Sequence, residues 1–388
     1  MVKFHMTGEA VDHMMAVVVL GAIFMAAVYV VPSLTYVNLL YLEQQQMRNI
    51  ALSAFKSILF DEGAPVNWGS MHGSSMFSEN DVNRFGLALL SDPSLYVLDS
   101  NKVQRLTNNP TGNITYQKAH ELLALSGYGF SMILRPLFNV DRAVNIERPD
   151  DKTANISFQV NVTRYDGRPV PNAIVLATII YAVDTPATGF AQRMVTTDSL
   201  GRCEGSHAIS VSGNSKITDV IVIFRVTVAD LATMIVCAED TRHPNDIAKI
   251  NVVGDNIVLT NPDEMAGPHA ARWVLNILMY NFETATNLLN GSRSNEYKLT
   301  YGQGFGVWSK EFEGLSTSEP SILIFTFDAV DKGRTVLLLV GPYALWNQNG
   351  IIQFNTGSNS GAASVSIERN VIISGMAYVA EFTLWKTQ

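Results

Sequence analysis

Charged residues are scarce in this chain of 388 residues. Asp, Glu, Lys and Arg make up 16% of it, against about a quarter of a typical soluble domain. The charges present are mostly acidic, because 35 Asp and Glu face 27 Lys and Arg, and the formal net charge is -8 at pH 7. A chain without a basic excess lacks the electrostatic footprint that binds a phosphate backbone. We therefore expect no nucleic acid partner.

Cysteine is also rare, with only Cys203 and Cys237 in the whole chain. No C-x-x-C motif or Cys/His cluster is present, so the sequence predicts no structural metal site. The even count allows a disulfide between the two if this region is exported. Two buried free thiols fit the sequence about as well, and both alternatives stay open.

Catalytic motifs are absent as well. The chain has no G-x-S-x-G elbow, no P-loop and no H-E-x-x-H pair. Residues 239–246 gather acidic groups near His243, which could transfer protons or bind a metal if they converged. A polar loop between strands explains this cluster better. The sequence therefore predicts neither enzyme activity nor a cofactor nor a metal site.

The longest feature present is an uncharged run from Met14 to Leu42. It exceeds the ~20 residues that a helix needs to span a bilayer. Beyond it, apolar residues such as Met47 and Phe55 recur three and four positions apart among polar ones. The pattern predicts one long helix through residue 60, half in the lipid bilayer and half outside. Pro32 interrupts the run and predicts a kink that a membrane helix tolerates.

The run does not fit a cleaved secretory signal. It is longer than the usual apolar core of about 7–15 residues, and only Lys3 precedes it, against Glu9 and Asp12. The long distal part carries four N-x-S/T triplets, which are glycan acceptors on exported surfaces. They begin at Asn113, Asn155, Asn161 and Asn290. We expect a single-pass protein of the cell membrane with its C-terminal domains outside.

The remaining sequence predicts a mainly β protein beyond the single transmembrane helix. Apolar, β-branched runs such as residues 173–181 and 220–228 alternate with turns that contain glycine. We predict four parts, namely the helix (residues 1–60), a small α+β neck module (61–144), an immunoglobulin-like β-sandwich (145–260) and a C-terminal β-sandwich (261–388). We also expect the part beyond the helix, residues 61–388, which we call the head, to fold without residues 1–60. Residues 272–280 fit either a short helix or a strand, because periodicity does not choose between them.

The first 140 residues resemble archaeal pilin-like (type IV pilin-like) membrane-anchored surface proteins. The resemblance rests on the apolar helix and on the order of four later segments, which are Gly63-x-Pro65-x-Asn67-Trp68-Gly69, Phe85-Gly-Leu-Ala88, Lys102-Val-x-x-Leu106 and Tyr116 to Phe130. It implies a helix embedded in the membrane and an exported head. Some such proteins are cleaved by a prepilin-type peptidase and assemble into filaments, so identical subunits or other pilin-like proteins are implied partners.

In such a protein, Gly8 and Glu9 would form the leader junction. The single basic residue before it and the acidic residue directly after Gly8 differ from the processed kind. Glu9 or Asp12 would pair with the N-terminus of a neighbouring subunit during assembly. The alternative is that both carboxylates are hydrated among the lipid headgroups.

A second resemblance covers the middle of the chain. Asp166-Gly-x-Pro-Val-x-Asn-Ala173 followed by Thr197-Asp-x-x-Gly201 is similar to the immunoglobulin-like, carboxypeptidase-regulatory-like modules of microbial surface proteins. There the module acts as a spacer or stalk, which implies no catalysis.

These observations predict a structural or adhesive protein of the cell surface, anchored by or assembled through its helix. The alternative is a monomeric, membrane-anchored binding protein that recognises glycan or another surface protein through its C-terminal module. Aromatic residues there could stack on sugars, although such rings more often form a core. They are Trp308, Tyr343, Trp346 and Trp385.

Overall fold

A single helix, α1 (Met6–Phe60), forms the first 55 described residues and continues through Pro32. At 1.5 Å per residue it is about 80 Å long. The computed structural model describes residues 6–71, 77–90, 96–107, 112–184, 188–238, 249–260, 271–290, 307–312, 315, 321–329, 335–340, 351–355 and 363–387. Two short helices, α2 (Ser100–Gln104) and α3 (Tyr116–Leu122), follow in the neck.

The rest of the described chain is mainly strand, which confirms the predicted fold class. In chain order the strands are β1 (Val97–Leu98), β2 (Tyr128–Pro136), β3 (Phe138–Asp150), β4 (Thr153–Arg164), β5 (Ile174–Val183), β6 (Thr188–Thr196), β7 (Arg202–Ser210), β8 (Ile217–Val228), β9 (Leu231–Ala238), β10 (Lys249–Val253), β11 (Asn256–Thr260), β12 (Ala271–Tyr280), β13 (Ala285–Asn290), β14 (Val307–Glu311), β15 (Ile322–Ala329), β16 (Thr335–Val340), β17 (Ile352–Phe354), β18 (Ser364–Ile373) and β19 (Met376–Lys386). The segment that fitted either a helix or a strand is therefore strand β12.

The neck contains a five-stranded sheet in the order β1-β18-β19-β2-β17. Strand β19 runs antiparallel to β2 from Tyr378 opposite Pro136 to Lys386 opposite Tyr128. The second half of α1 packs on one face of this sheet, where the ring of Phe55 stacks on that of Phe382 at 5.5 Å. The last strands of the chain therefore complete the neck.

Two β-sandwiches lie between β2 and β17 in the sequence. The first pairs sheet β3-β4-β7 with sheet β6-β5-β8-β9, and the second pairs β10-β11-β14 with β13-β12-β15-β16. Both have the same strand order, shifted by seven strands. In each sandwich the first, second and fifth strands form one sheet, and the other four strands form the opposite sheet. This is an immunoglobulin-like arrangement. In the first sandwich, the rings of Phe158 and Phe224 meet edge to face at 5.2 Å between the sheets.

This arrangement corrects the predicted division of the chain. The predicted C-terminal sandwich, 261–388, does not extend to the end of the chain, because strands β17, β18 and β19 pair within the neck sheet. Residues 249–260, assigned to the middle module, belong to the second sandwich. The predicted boundary after residue 144 falls inside β3, which pairs with β4 from Phe138 onward. Strand patterns show where strands are, but they do not show which strands pair.

The two sandwiches pack side by side through the outer faces of their four-stranded sheets. Ile180 and Ile223 from the first meet Tyr280 and Ile324 from the second in one apolar cluster. The neck touches both sandwiches. Ala377 and Val379 of β19 join the core of the first, and Gln104 of α2 donates a hydrogen bond to the carbonyl oxygen of Val252 in the second at 2.8 Å.

Candidate membrane and assembly surface

The first half of α1 exposes an apolar surface that the head does not cover. Val11–Tyr29 is a strongly apolar stretch of 19 residues, and none of it is buried. Met14 and Leu20 are each 72% exposed. Within the described residues this is the one helix long and apolar enough to cross a bilayer. A helix near an N-terminus with these properties can be a membrane anchor or a signal sequence.

The environment of α1 changes within two turns. Tyr41 and Leu42 are 60% and 63% exposed, whereas Met47 is 6% exposed. Glu43 lies 3.4 Å from the ammonium group of Lys386 on β19, where the head begins. Both of these side chains are largely exposed, so the ion pair contributes little to the stability of the fold. It marks the position where α1 meets the head.

Beyond this boundary the helix is part of the head's core. Met47, Ala51, Phe55, Ile58 and Leu59 recur three and four positions apart, and each is at most 6% exposed. They form the apolar stripe that the sequence pattern predicts. The stripe rests on a stack of rings in which Phe382 lies 5.6 Å from Phe130, and Phe130 lies 4.7 Å from Tyr116.

The predicted assembly residues lie at the start of α1. Gly8 and Glu9 are within its first turns, and their side chains are outside the described set. Asp12 is exposed on the same helix. The leader junction, and the pairing of Glu9 or Asp12 with a neighbouring subunit, stay predictions.

A tight corner follows α1 and explains several residues of the first resemblance. Trp68 is fully buried, and its indole nitrogen donates a hydrogen bond to the carbonyl oxygen of Gly86 at 3.1 Å. A Cβ at Gly86 would overlap the carbonyl oxygen of Asp61, and one at Gly69 would overlap the backbone of Lys102. Only glycine lets these backbones approach so closely.

Two cations are buried beside this corner. Arg105 is fully buried, and its guanidinium donates hydrogen bonds to the carbonyl oxygens of Gly69 (3.1 Å), Met71 (2.9 Å) and Gly112 (2.8 Å). It also lies 4.6 Å from the ring centre of Phe77. Burial lowers the pKa of Arg105 to about 10, so the group stays charged at neutral pH.

Lys102 is 1% exposed, and its ammonium donates a hydrogen bond to the carbonyl oxygen of Ala88 at 2.8 Å. Burial lowers its pKa, and the neighbouring carboxylate of Asp99 opposes this shift. The sequence pattern predicts no role for these two cations. The signal that could have found them is a pair of basic residues three apart inside the apolar segment that contains Val103 and Leu106.

The two cysteines lie on opposite sheets of the first sandwich. Cys203 on β7 is a half-buried free thiol, and burial together with Asp198 raises its pKa to about 11. Cys237 lies on β9, but its thiol is outside the described side chains. Because Cys203 is a free thiol, the structure does not contain the disulfide that the sequence allows, and the alternative of free thiols holds for Cys203.

The predicted polar and aromatic clusters are mostly outside the described residues, which include neither 239–248 nor Tyr343, Trp346 and the Trp308 side chain. Among the residues that the structure describes, no three His, Cys, Asp or Glu side chains are placed to hold a metal ion. Trp385 is described, and it lies on β19 of the neck sheet opposite Gly129. Its assignment to the C-terminal module was therefore wrong.

The predicted glycan acceptors lie in different settings. Asn155 and Asn161 are on β4, Asn113 is in the connection between α2 and α3, and Asn290 ends β13 with its side chain outside the described set. A shallow depression of ≈ 560 Å³ crosses β3, β4 and β7 between Asn155 and Asn161.

Comparison with known proteins gives no family. No family model and no curated protein matches the chain. Among solved structures, invasin, a bacterial integrin-binding protein, is similar at 13% identity with a TM-score of 0.16. The match covers 64% of this chain and 55% of that one, so the chain spans about half the length of invasin. At this TM-score the likeness supports no conclusion about function.

Proposed function

We propose that this chain is a pilin-like structural or adhesive protein of the cell surface, anchored in the membrane and assembled with other copies through the first half of α1. The observation that carries the proposal is the division of one continuous helix. Residues 11–29 are apolar and none is buried, whereas Met47 to Leu59 form part of the head's core. A helix built in this way ties a folded head rigidly to an apolar environment.

The length of the exposed half matches a bilayer. Nineteen helical residues from Val11 to Tyr29 rise about 28 Å, close to the ~30 Å hydrocarbon core. A signal peptide that is cut away inside the run would not need to continue as the same helix into the core of the head. The continuity of α1 favours an anchor that remains attached.

Two features of the exposed half favour contact with other copies. The uncharged run continues past Tyr29, and Tyr41 and Leu42 remain exposed beyond the predicted span. Ala22 and Ala26 lie four residues apart on this exposed part of the helix. Small residues at this spacing let membrane helices approach closely. Lateral packing of α1 helices would cover this surface.

Anchoring and export are tested on intact cells that produce the full chain. We expect added protease to remove the head, and alkaline washing to leave the unproteolysed chain in the membrane fraction. A variant with Val18→Arg and Ala22→Arg should be extracted by the alkaline wash, because each charge costs about 2.5–3.5 kcal/mol near the bilayer centre. The matched control carries Gln44→Arg and Ser53→Arg, which are exposed positions of the second half, and should stay in the membrane. Complete extraction of the unmodified chain would contradict the proposal.

A further inference from the structure

Two of the four N-x-S/T triplets present their asparagines on one face of one strand. Asn155 and Asn161 are six residues apart on β4, and side chains an even number of residues apart lie on the same face of a strand. The other face of β4 is the core face. It contains Ile156, Phe158, Val160 and Val162, each at most 3% exposed. Both asparagines therefore lie on the outer face of sheet β3-β4-β7, about 20 Å apart.

Between Asn155 and Asn161, the outer face of the sheet forms a shallow depression with mostly polar side chains. Ser157 lies between Asn145 and Ser206 of the flanking strands, and Gln159 lies between Ala143 and Glu204. These residues line the depression of ≈ 560 Å³ together with Val144, Phe158, Gly205 and Arg193 of β6. A cavity of several hundred Å³ can receive a small ligand.

The triplet at Asn113 has a different setting. Asn113 is half-buried and precedes Ile114, which is 1% exposed. The hydroxyl of Thr115, the third residue of the triplet, accepts a hydrogen bond from the backbone N–H of Lys118 and caps α3. The backbone N–H of Thr115 donates to Glu79 at 2.8 Å. The folded neck therefore holds this triplet in place, whereas on β4 Asn155 and Ser157 are exposed and Asn161 and Thr163 are half-buried on the outer face of the sheet.

We propose that Asn155 and Asn161 carry N-linked glycans, which make the outer face of sheet β3-β4-β7 a sugar-covered side of the head. The donor would be a glycan activated by a phosphate group on its anomeric carbon. A bond forms between that carbon and the side-chain amide nitrogen, the carbon–oxygen bond to phosphate breaks, and the amide loses a proton. The phosphate leaves with the electron pair. The inference rests on the export of the head proposed above.

The test is mass spectrometry of the full chain purified from its native membranes. Trypsin cuts after Lys152 and Arg164, so one peptide contains both asparagines. We expect this peptide to carry two glycans, and the tryptic peptide of residues 106–118, which contains Asn113, to carry none. Ser157→Ala and Thr163→Ala should each remove one glycan, because each destroys one triplet and keeps its asparagine. Ser157→Thr and Thr163→Ser keep the triplets and should keep both glycans.

An unmodified peptide from a head that protease reaches on intact cells would overturn the glycan inference and leave the proposed function standing. Glycans on Asn113 with none on β4 would overturn it as well. A head that protease does not reach, with an unmodified peptide, would overturn both.

Discussion

A chain that begins at Glu43 folds into a soluble head that melts at the same temperature as the head of the full chain, whereas a chain that begins at Asp61 does not fold. The first deletion removes residues 11–29, none of which is buried. The second also removes Met47, Phe55, Ile58 and Leu59 from the core. At about 1.5–3 kcal/mol for each buried apolar side chain, the second loss is roughly 6–12 kcal/mol, as large as the ~5–15 kcal/mol that stabilises a typical domain.

The measurement is thermal unfolding of both purified chains by circular dichroism, with size-exclusion chromatography to establish that they are monomeric. Matched controls are made in the longer chain. Phe55→Ala should lower the free energy of unfolding by about 3–5 kcal/mol, whereas Ser53→Ala, at an exposed position, should change it by less than about 0.5 kcal/mol. A folded chain from Asp61 would show that the second half of α1 is dispensable. The expectation that the head folds without residues 1–60 follows from treating the helix as a separate part, and the buried stripe on α1 argues against it.

Arg105→Met lowers the free energy of unfolding of the head by about 3 kcal/mol or more, because it leaves three carbonyl acceptors without a donor at about 1–3 kcal/mol each. The guanidinium satisfies the carbonyl oxygens of Gly69, Met71 and Gly112. Methionine has a similar length and no donor, so the buried carbonyl of Gly69 and the partly buried carbonyls of Met71 and Gly112 would lose their partner. The free energy of unfolding of Arg105→Lys should lie between those of the unchanged head and of Arg105→Met. Lysine keeps the charge but lacks the planar fork that reaches several carbonyls at once.

The matched control for Arg105 is Arg84→Met. Arg84 pairs with Asp61 at 2.8 Å, but its side chain is 59% exposed. Exposed pairs contribute about 0–1 kcal/mol, so this variant should unfold almost like the unchanged head. Chemical denaturation of the chain that begins at Glu43 compares the variants. Equal stability of Arg105→Met and Arg84→Met would show that the buried cation does not hold the loops of the corner together.

The sequence predicts the helix well because its signal is local. The spacing of Met47 and Phe55 indicates which side of α1 is buried, and the structure confirms it. Residues 173–181 and 220–228 are mostly apolar runs with few polar residues, and both lie in the four-stranded sheet that contacts the second sandwich on its outer face. A strand buried on both faces has no polar side to alternate with, so these runs already contained the signal for side-by-side packing.

Pairing between distant strands could not be predicted in the same way. Residues 378–385 are recognisable as a strand, but nothing local indicates that β19 pairs with β2 across both sandwiches. The insertion of two sandwiches into one sheet therefore has no local signature. Buried cations such as Arg105 are missed for a related reason, because basic residues are usually exposed and the carbonyl groups that bind this one come from two separate loops.

Disulfide cross-linking in native membranes tests most directly whether copies of this chain meet through α1. Cys203→Ala and Cys237→Ala remove the native thiols, and single cysteines at positions 18, 19, 20 and 21 sample all sides of the helix, because successive residues are turned by about 100°. A cysteine at Ser199, in the exposed turn between β6 and β7, is the control. We predict cross-linked dimers from at least one of the four helix positions and none from the control. Monomers alone from all four positions would contradict assembly through α1.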